Sequence, residues 1–466
     1  MTLKTEKKPI YKTSLLADET LYEMAYASTA QTTYFYGCDK AGNVESQIEE
    51  VTHRGILYAP LPANNDLVAK KVILFPSEPQ PYESEEQILK EIRTFINTYL
   101  DVSEVFEQIA TYYVLFTWLY DRFNEVPYLR AIGDYGSGKS RLLHTVGSLA
   151  YKPIFTAGAT TVSPIFRILD ESKGTLVLDE ADFGHSDMTS DIVKVLNTGY
   201  QRGTPVLRAE GKGTYDLRTF EVFGPKIVAT RETFKDKALE SRFLVEDMGS
   251  SSLRKDIPRT LDESFYQQAQ QIRNKLLMWR FDNYFKPLNK REELIEGIHP
   301  RLNQIVVPLL TIIKDLGIRE QLKGFIVKYN SELVADRGMS WESDIVLAVL
   351  RLEYQKKLTE PTVKEITDEL NREIDIGEDT LQPRKVGWYL RAKLQLKTEK
   401  TRRGFILNIA RNRKRLDMWK ERYGITVEDI SGEDENVVNV VEETKNCPMI
   451  DPNDPEVNPF ASSKVF

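Results

Sequence analysis

The chain has 466 residues, enough for several domains with their own cores. Its two cysteines and four histidines exclude a disulfide framework and a zinc finger, and favour a reducing, cytoplasmic setting. The N-terminus lacks the apolar core of a signal peptide, and the longest apolar run, residues 112–120, is too short to span a bilayer. The net charge of −7 comes from the tail beyond residue 426, which contributes −8 and leaves the rest at +1.

Residues 1–82 predict a small β-rich domain. Residues 32–37 and 44–51 are strand-like and flank the turn CDKAGN. Residues 55–60 and 71–75 are expected to add strands. No group of residues in this part carries recognisable chemistry.

Residues 83–126 predict a helical segment leading into the next domain. Ser84 and Gln87 have the spacing of a capping box at the start of one helix. A second helix is expected over residues 105–123, with its aromatic stripe in the core.

The stretch 133–140, GDYGSGKS, fits the phosphate-binding pattern G-x-x-x-x-G-K-[ST]. A chance glycine turn would lack the buried strand expected before it, at 128–132, and the helix expected after it, at 140–151. Lys139 is expected on the β- and γ-phosphates of ATP, and the Ser140 hydroxyl on Mg²⁺. The predicted nucleotide-binding residues are Gly133, Asp134, Tyr135, Gly136, Ser137, Gly138, Lys139, Ser140 and Arg141.

A second acidic motif follows about forty residues later. Residues 175–178 form an apolar strand that ends in Asp179 and Glu180. Asp179 is expected to bind Mg²⁺ with Ser140, and Glu180 to polarise the attacking water. The letters DEAD do not indicate a DEAD-box helicase, because the chain beyond residue 245 predicts helices rather than a second α/β domain.

A hairpin and another core strand come next. Residues 206–209 and 215–223 are strand-like arms around the turn Gly-Lys-Gly that contains Lys212. Residues 225–230 predict a core strand that ends beside the γ-phosphate, so that either Thr230 or Arg231 senses it. The block ALESRF then supplies Arg242.

These motifs in this order resemble an AAA+ ATPase, in particular the minichromosome-maintenance (MCM)-like branch and self-loading helicases of mobile elements. The resemblance covers residues 127–330 and a C-terminal winged helix. It implies an α/β fold in which a P-loop NTPase core, with a parallel sheet between helices, occupies residues 127–250 and a helical lid residues 251–335. It also implies a hexamer with ATP at the subunit interfaces, Lys212 on DNA and Arg242 as a finger in the neighbouring site.

Three features complete or limit the resemblance. Arg301 resembles the lid arginine called sensor 2, with Arg273 as the alternative and a plain surface arginine as the other reading. The cysteines needed for the family's zinc-binding hairpin are absent. The family's first sensor is usually asparagine, whereas this chain offers Thr230 or Arg231.

Residues 340–423 predict a winged helix with a basic, partly aromatic face, which suits DNA phosphates; a solvated face or a protein-docking module is the alternative. The inward positions of its third helix are expected to be Val386, Leu390 and Leu394. The predicted DNA-binding residues here are Arg384, Lys385, Trp388, Arg391, Lys400, Arg402 and Arg403. Residues 424–466 are acidic and predicted to be disordered, with a replication protein as a candidate partner.

The sequence therefore predicts an ATP- and Mg²⁺-dependent motor on single-stranded or forked DNA. A hexameric replicative helicase of a mobile element or phage is the expected form. An ATP-switched DNA-binding regulator or assembly factor that does not unwind DNA is the alternative. A strand-displacement assay separates the two.

Overall fold

The computed structural model describes residues 8–156, 162–179, 187–210, 216–234, 237–249, 254–288, 294–338, 341–372 and 381–431. The chain divides into two compact units, residues 1–330 and residues 331–466. Within the described ranges, no helix is both long enough and apolar enough to cross a membrane.

The first unit begins with two small sheets. Strands β2, β3, β4 and β5 form an antiparallel sheet in that order, and β1, β7 and β6 form a second sheet in which β1 runs parallel to β7. The strands are β1 Ile10–Lys12, β2 Ser14–Ala17, β3 Thr20–Ala27, β4 Thr32–Asp39, β5 Val44–Ile48, β6 Val51–His53 and β7 Ile56–Pro60. A one-turn helix, α1 (Asp66–Ala69), follows them.

The strand expected over residues 71–75 is wrong. Only Ile73 makes a β-bridge, with Ile154. Lys71 has a φ of +55°, which is incompatible with an extended strand, and Pro76 lacks the N–H needed to continue one. This segment instead lies along the edge of the sheet that contains Ile154.

Two long helices precede the phosphate-binding loop, α2 (Glu85–Tyr99) and α3 (Glu104–Thr117), and a 3₁₀ turn, Tyr120–Arg122, ends this part. Ser84 caps α2, since its Oγ accepts the Gln87 N–H at 3.1 Å. The apolar face of α2 is buried at Ile88, Ile92 and Ile96. The predicted capping residue therefore starts the helix.

The centre of the first unit is a five-stranded sheet, parallel throughout, in the order β14-β8-β13-β10-β9. The chain leaves β8 for the far edge, β9, and then returns strand by strand toward β14. This reversal makes the carboxyl end of β8 a switch point, where open α/β sheets bind ligands. The five strands are β8 Tyr128–Ile132, β9 Ile154–Thr156, β10 Leu176–Leu178, β13 Lys226–Thr230 and β14 Phe243–Asp247.

The connections between these strands carry four helices and one hairpin. The hairpin, β11 (Val206–Glu210) paired with β12 (Asp216–Phe220), is inserted before β13, as the sequence predicts. The helices are α4 Lys139–Gly147, α5 Val162–Ser172, α6 Asp187–Thr198 and α7 Lys237–Glu240. The architecture is thus α/β with a parallel sheet between helices, compatible with a P-loop NTPase core.

Three helices follow the sheet, α8 (Glu263–Tyr284), α9 (Pro300–Ile312) and α10 (Leu316–Gly338). The second unit contains α11 (Trp341–Lys356), α12 (Val363–Leu370) and α13 (Pro383–Trp388), which continues as a π-helical turn, Tyr389–Lys393. A hairpin of β15 (Thr398–Thr401) and β16 (Gly404–Leu407) comes next, and the unit ends in α14 (Ile409–Tyr423) and α15 (Val427–Ser431). These elements share one apolar core.

Candidate nucleotide site and basic surface

The phosphate-binding loop connects the carboxyl end of β8 to the first turn of α4. Gly138, the N-cap of α4, has a φ of +95°, and Gly136 has a φ of +78°. Both conformations favour glycine because a Cβ would be strained there. A Cβ on Gly133 would lie 2.7 Å from Ser137 Oγ. The backbone therefore requires the three glycines of the motif.

The lysine side chain of the motif, Lys139, folds back over this loop. Lys139 is the first residue of α4, and its Nζ donates to the carbonyl oxygens of Gly133 and Asp134, each at 2.7 Å. Ser140 follows it and is exposed at the same helix N-terminus. A helix N-terminus has positive potential, so this end of α4 favours an anion.

Residues from three parallel strands meet at a cavity of about 280 Å³ beside the loop. Asp179 directly follows β10, and Arg231 directly follows β13, so both side chains lie at the carboxyl edge where β8 leads into the loop. Three cations and one carboxylate line the cavity, which suits a polyphosphate accompanied by a metal ion. The lining residues are Tyr135, Gly136, Ser137, Gly138, Lys139, Ser140, Arg141, Asp179 and Arg231.

The donor set of this cavity fits Mg²⁺ shared with a nucleotide. Ser140 and Asp179 both line it, and Mg²⁺ is commonly bound by one or two carboxylates together with substrate phosphates and water. Among the described residues, no cluster of three or more His, Cys, Asp or Glu side chains could hold a metal by itself.

The two candidate sensors at the end of β13 have different environments. The Thr230 carbonyl oxygen accepts the Gly133 N–H at 3.3 Å, which ties β13 to the phosphate loop. Its side chain is only 2 % exposed, and in the described structure its Oγ1 has no hydrogen-bond partner. Arg231 is exposed and lines the cavity. The structure thus places Arg231, rather than the Thr230 side chain, on the lining.

A second cavity, of about 680 Å³, adjoins the other side of the loop. Arg141 connects the two sides, because its Nη2 donates to the Arg259 carbonyl at 2.7 Å. Sequence reasoning missed the lining by Arg254, Lys255 and Arg259, because these basic residues beyond β14 belong to no motif. The full lining is Tyr99, Leu100, Asp101, Gly136, Gly138, Arg141, Met248, Arg254, Lys255, Ile257, Pro258 and Arg259.

Arg242, the expected finger, is an internal residue in the single chain. It is 6 % exposed, its Nη1 donates to Asn197 Oδ1, and its guanidinium carbon lies 4.4 Å from the centroid of the Tyr200 ring. Burial, and next the charge of Arg301, hold the pKa of Arg242 below its usual value. Two of the expected catalytic arginines therefore lie near each other, away from the chain's own phosphate loop.

Arg273, the alternative candidate for sensor 2, is buried and held by hydrogen bonds within the fold. It is 4 % exposed, and its guanidinium donates to the Ser148 carbonyl and to Gln270 Oε1, each at 2.6 Å. Neither Arg273 nor Arg301 lines either of the two cavities beside the loop. Glu180 and Lys212 lie outside the described residues, so their roles stay predictions.

The second unit presents a basic face with two exposed aromatic side chains. Val386, Leu390 and Leu394 are buried, as their spacing predicts. Trp388 on α13 is 49 % exposed, and Phe405 on β16 is 46 % exposed. The seven residues predicted to contact DNA are all exposed: Arg384, Lys385, Trp388, Arg391, Lys400, Arg402 and Arg403.

Comparisons with known proteins give only distant likenesses. No family model matches the chain, and no curated protein sequence matches it. The chain is similar to the apo structure of the NrS-1 C-terminal region, with 13 % identity and a TM-score of 0.36 over 83 % of this chain and 95 % of that one. It is also similar to the JCV helicase, with 13 % identity and a TM-score of 0.22 over 56 % of this chain and 62 % of that one. At these TM-scores the likeness does not establish a shared fold.

Proposed function

We propose that the chain is an ATP-driven motor on DNA, an AAA+ ATPase of the MCM-like group that acts as a replicative helicase of a mobile element or phage. The observation that carries the proposal is the cavity shared by the phosphate loop, Asp179 and Arg231 at the carboxyl edge of a parallel sheet. Three cations and one carboxylate beside a glycine-rich loop suit a nucleoside triphosphate with Mg²⁺. Few other small molecules would match this arrangement of charges.

Each residue of the proposed site would have its own role in ATP hydrolysis. Mg²⁺, when bound, neutralises charge that develops on the β- and γ-phosphates. Ser140 and Asp179 would hold it, and Lys139 would leave the loop carbonyls to bind the phosphates. Glu180 would orient the attacking water, and Arg231 would contact the γ-phosphate. The larger cavity on the other side of the loop is of a size suited to the nucleoside.

Assembly completes the site in this proposal. Arg242 and Arg301 lie near each other and do not line the chain's own phosphate cavity. In this proposal Arg242 acts in the site of the neighbouring subunit, and Arg301 is the candidate for sensor 2. An arginine supplied from a neighbour stabilises charge in the transition state. A homohexamer is the ring that the MCM-like resemblance implies.

Two parts of the chain would contact DNA. The hairpin β11–β12 is inserted in the chain between α6, which follows Asp179, and β13, which directly precedes Arg231. In this proposal a change at the γ-phosphate would reach the hairpin through these two elements. Lys212 at that tip would grip the sugar-phosphate backbone. The second unit, as a winged helix, would bind DNA through its basic face. The acidic tail remains the candidate site for a replication protein.

Strand displacement on a forked duplex tests the proposal. We expect the wild-type chain with ATP and Mg²⁺ to displace the strand, and Lys139→Ala to lose both ATP binding and displacement. Glu180→Gln should keep ATP binding and lose turnover. Lys212→Ala should keep basal ATPase activity but lose DNA-stimulated hydrolysis and displacement, because the motor no longer grips its track.

Two outcomes would contradict parts of this proposal. Wild-type ATP hydrolysis without any displacement would favour an ATP-switched regulator or assembly factor. Full unwinding by the Lys212→Ala variant would remove the hairpin from the translocation mechanism.

A further inference from the structure

We propose that the second unit binds unpaired nucleobases of single-stranded DNA by stacking them on Trp388 and Phe405. This inference rests on the proposed function, since it specifies the form of DNA that this unit contacts. Phosphate contacts alone do not explain why two large aromatic side chains are half exposed on a face that is otherwise basic.

The first step is the position of the two rings. Trp388 ends α13, and Phe405 lies on β16 of the hairpin. Arg391 connects these elements, because its guanidinium carbon lies 5.4 Å from the centroid of the Phe405 ring and its Nη1 donates to Thr398 Oγ1 at 3.4 Å. The exposed rings therefore belong to one surface made by α13, the π-helical turn and the hairpin.

The second step is the surroundings of each ring. Lys393 Nζ lies 5.7 Å from the centroid of the Trp388 ring, and Tyr389 packs edge-on at 5.1 Å. Arg391 covers one side of Phe405, so the exposed half of that side chain faces away from it. A cation beside a stacked base attracts the adjoining phosphate, and this pairing of aromatic and basic residues is the usual composition of a single-strand site.

The third step is the charge around the rings. Two carboxylates beside this surface are already engaged: Glu365 is held by the Thr362 cap and lies 3.7 Å from Arg403, and Glu399 is paired with Arg411. A third, Glu342, acts electrostatically on Tyr389. Hydrogen bonds from Thr362 hold the pKa of Glu365 below its usual value. The surface thus favours a polyanion over a purely apolar segment, and the two exposed rings favour a polyanion that carries bases.

Base stacking and phosphate contact are separable by experiment. Affinity of the full-length chain, without nucleotide, is measured for oligo(dT) and for an abasic strand of equal length over a range of salt concentrations. We expect the wild type to bind oligo(dT) more tightly than the abasic strand by a factor of about 5 to 150 for each stacked base. Trp388→Leu and Phe405→Leu should each lower this ratio and leave the salt dependence unchanged.

Two control variants make the measurement specific. Arg402→Gln should lower the slope of log K against log salt by about 0.7 on a single strand and leave the ratio unchanged. Tyr354→Leu removes another exposed aromatic with a cation above it, Lys357 at 5.0 Å, from a different helix, and should change neither quantity. Quenching of tryptophan emission by oligo(dT) should fall most when Trp388 is replaced, since Trp118 and Trp279 are at most 2 % exposed and Trp341 and Trp419 are partly buried.

The outcomes distinguish this inference from the proposed function. Equal affinity for the two strands, or an unchanged ratio in both leucine variants, would overturn the stacking inference while DNA binding stands. Binding that does not change on removal of residues 340–466 would remove the second unit from DNA recognition altogether. Binding of a protein segment instead of either strand would overturn both.

Discussion

At the scale of single residues, the structure distinguishes between the two candidates for the γ-phosphate sensor, Thr230 and Arg231. Thr230 and Arg231 are neighbours at the end of β13, but only Arg231 lines the phosphate cavity. The buried Thr230 hydroxyl has no hydrogen-bond partner in the described structure, whereas its backbone carbonyl binds the Gly133 N–H. The geometry gives Thr230 a backbone role in holding the loop and favours Arg231 as the residue that would contact a ligand in the cavity.

We expect Arg231→Ala to lower the kcat for ATP hydrolysis about 10- to 150-fold, because it removes a charge-assisted hydrogen bond worth about 1.5–3 kcal/mol. Thr230→Val keeps the shape of the side chain and removes only an unpaired hydroxyl, so kcat and KM should stay close to wild type. Steady-state kinetics at saturating Mg²⁺ measures both. The reverse pattern would give the sensor role to the Thr230 hydroxyl.

How far the sequence predicts the site depends on whether a motif fixes the residue. Six of the eight motif residues, 135–140, line one cavity together with Asp179, because the motif and the strand that precedes Asp179 each define a backbone position; Gly133 and Asp134 are not on that lining. The lining by Arg254 and Lys255 is not predictable in this way. It depends on where the chain passes after β14, which no local pattern records.

At the scale of elements, the base of the β11–β12 hairpin is fastened to the sheet by a buried lysine. Lys226, the first residue of β13, has no exposed surface, and its Nζ donates to the carbonyls of Val222 at 3.0 Å, Gly224 at 2.9 Å and Gly199 at 3.3 Å. A Cβ on Gly199 would lie 2.4 Å from this Nζ. The contact therefore joins the chain after α6, the end of the hairpin and β13 at one point.

Burial lowers the pKa of Lys226 to about 7. The unfolded chain, with an ordinary lysine pKa near ~10.4, binds more protons between these values, so the free energy of unfolding should rise with pH over this window. The three carbonyls and the Tyr128 ring, 4.8 Å from Nζ, favour the charged form and limit this rise. Lys226→Met should remove the rise and cost about 1–3 kcal/mol at neutral pH for each carbonyl left without a donor.

Urea unfolding at pH 7 and pH 9.5 measures this difference between wild type and variant. Lys173→Met is the matched control, because Lys173 lies near the same hairpin but is half exposed and pairs with Glu221 at 2.5 Å. It should cost less than about 1 kcal/mol and keep the wild-type pH dependence. Parallel pH profiles for Lys226→Met and wild type would contradict the titration of this lysine.

A helix or strand could be predicted where its capping residue or turn agreed with its hydrophobic pattern. It could not be predicted where contacts with another part of the chain determine the structure. Ser84 caps α2 as its sequence suggests, and the strand–turn–strand pattern of β11 and β12 is correct. The third helix of the second unit changes to a π-helical turn after Trp388, which periodicity alone does not reveal. The basic run at 411–415 lies inside α14. Hydrophobic periodicity does not indicate this helix, because many of its residues are charged.

At the scale of the whole molecule, the first unit is joined by a buried charge network. Glu23 of β3 binds Lys152 at 3.0 Å and Arg280 of α8 at 2.9 Å, and Arg280 also binds Asp121 at 2.8 Å. Removing one partner of such a network costs about 3–5 kcal/mol because it leaves a buried charge unpaired. The N-terminal sheets, the nucleotide-binding core and α8 are therefore expected to move as one body.

The finger hypothesis for Arg242 also belongs to the whole molecule, because it concerns the assembly. In the single chain this side chain is held by Asn197 and the Tyr200 ring and is 6 % exposed. Acting in a neighbour's site would require it to exchange these contacts for a phosphate. Its depressed pKa, caused by burial and by Arg301, means that a phosphate nearby would relieve an unfavourable environment.

Subunit mixing tests whether that exchange occurs. Arg242→Ala alone should lower ATPase activity by about 10³–10⁵ if the arginine acts as a finger. Mixing it with Lys139→Ala protein should restore part of the activity, since some interfaces then combine an intact phosphate loop with an intact finger. Asn197→Ala is the control, because it removes a half-buried partner of Arg242 but leaves the guanidinium available, and it should need no rescue. Co-assembled mutants that show no recovery would mean that Arg242 serves its own chain, as a buried contact between α6 and the start of β14.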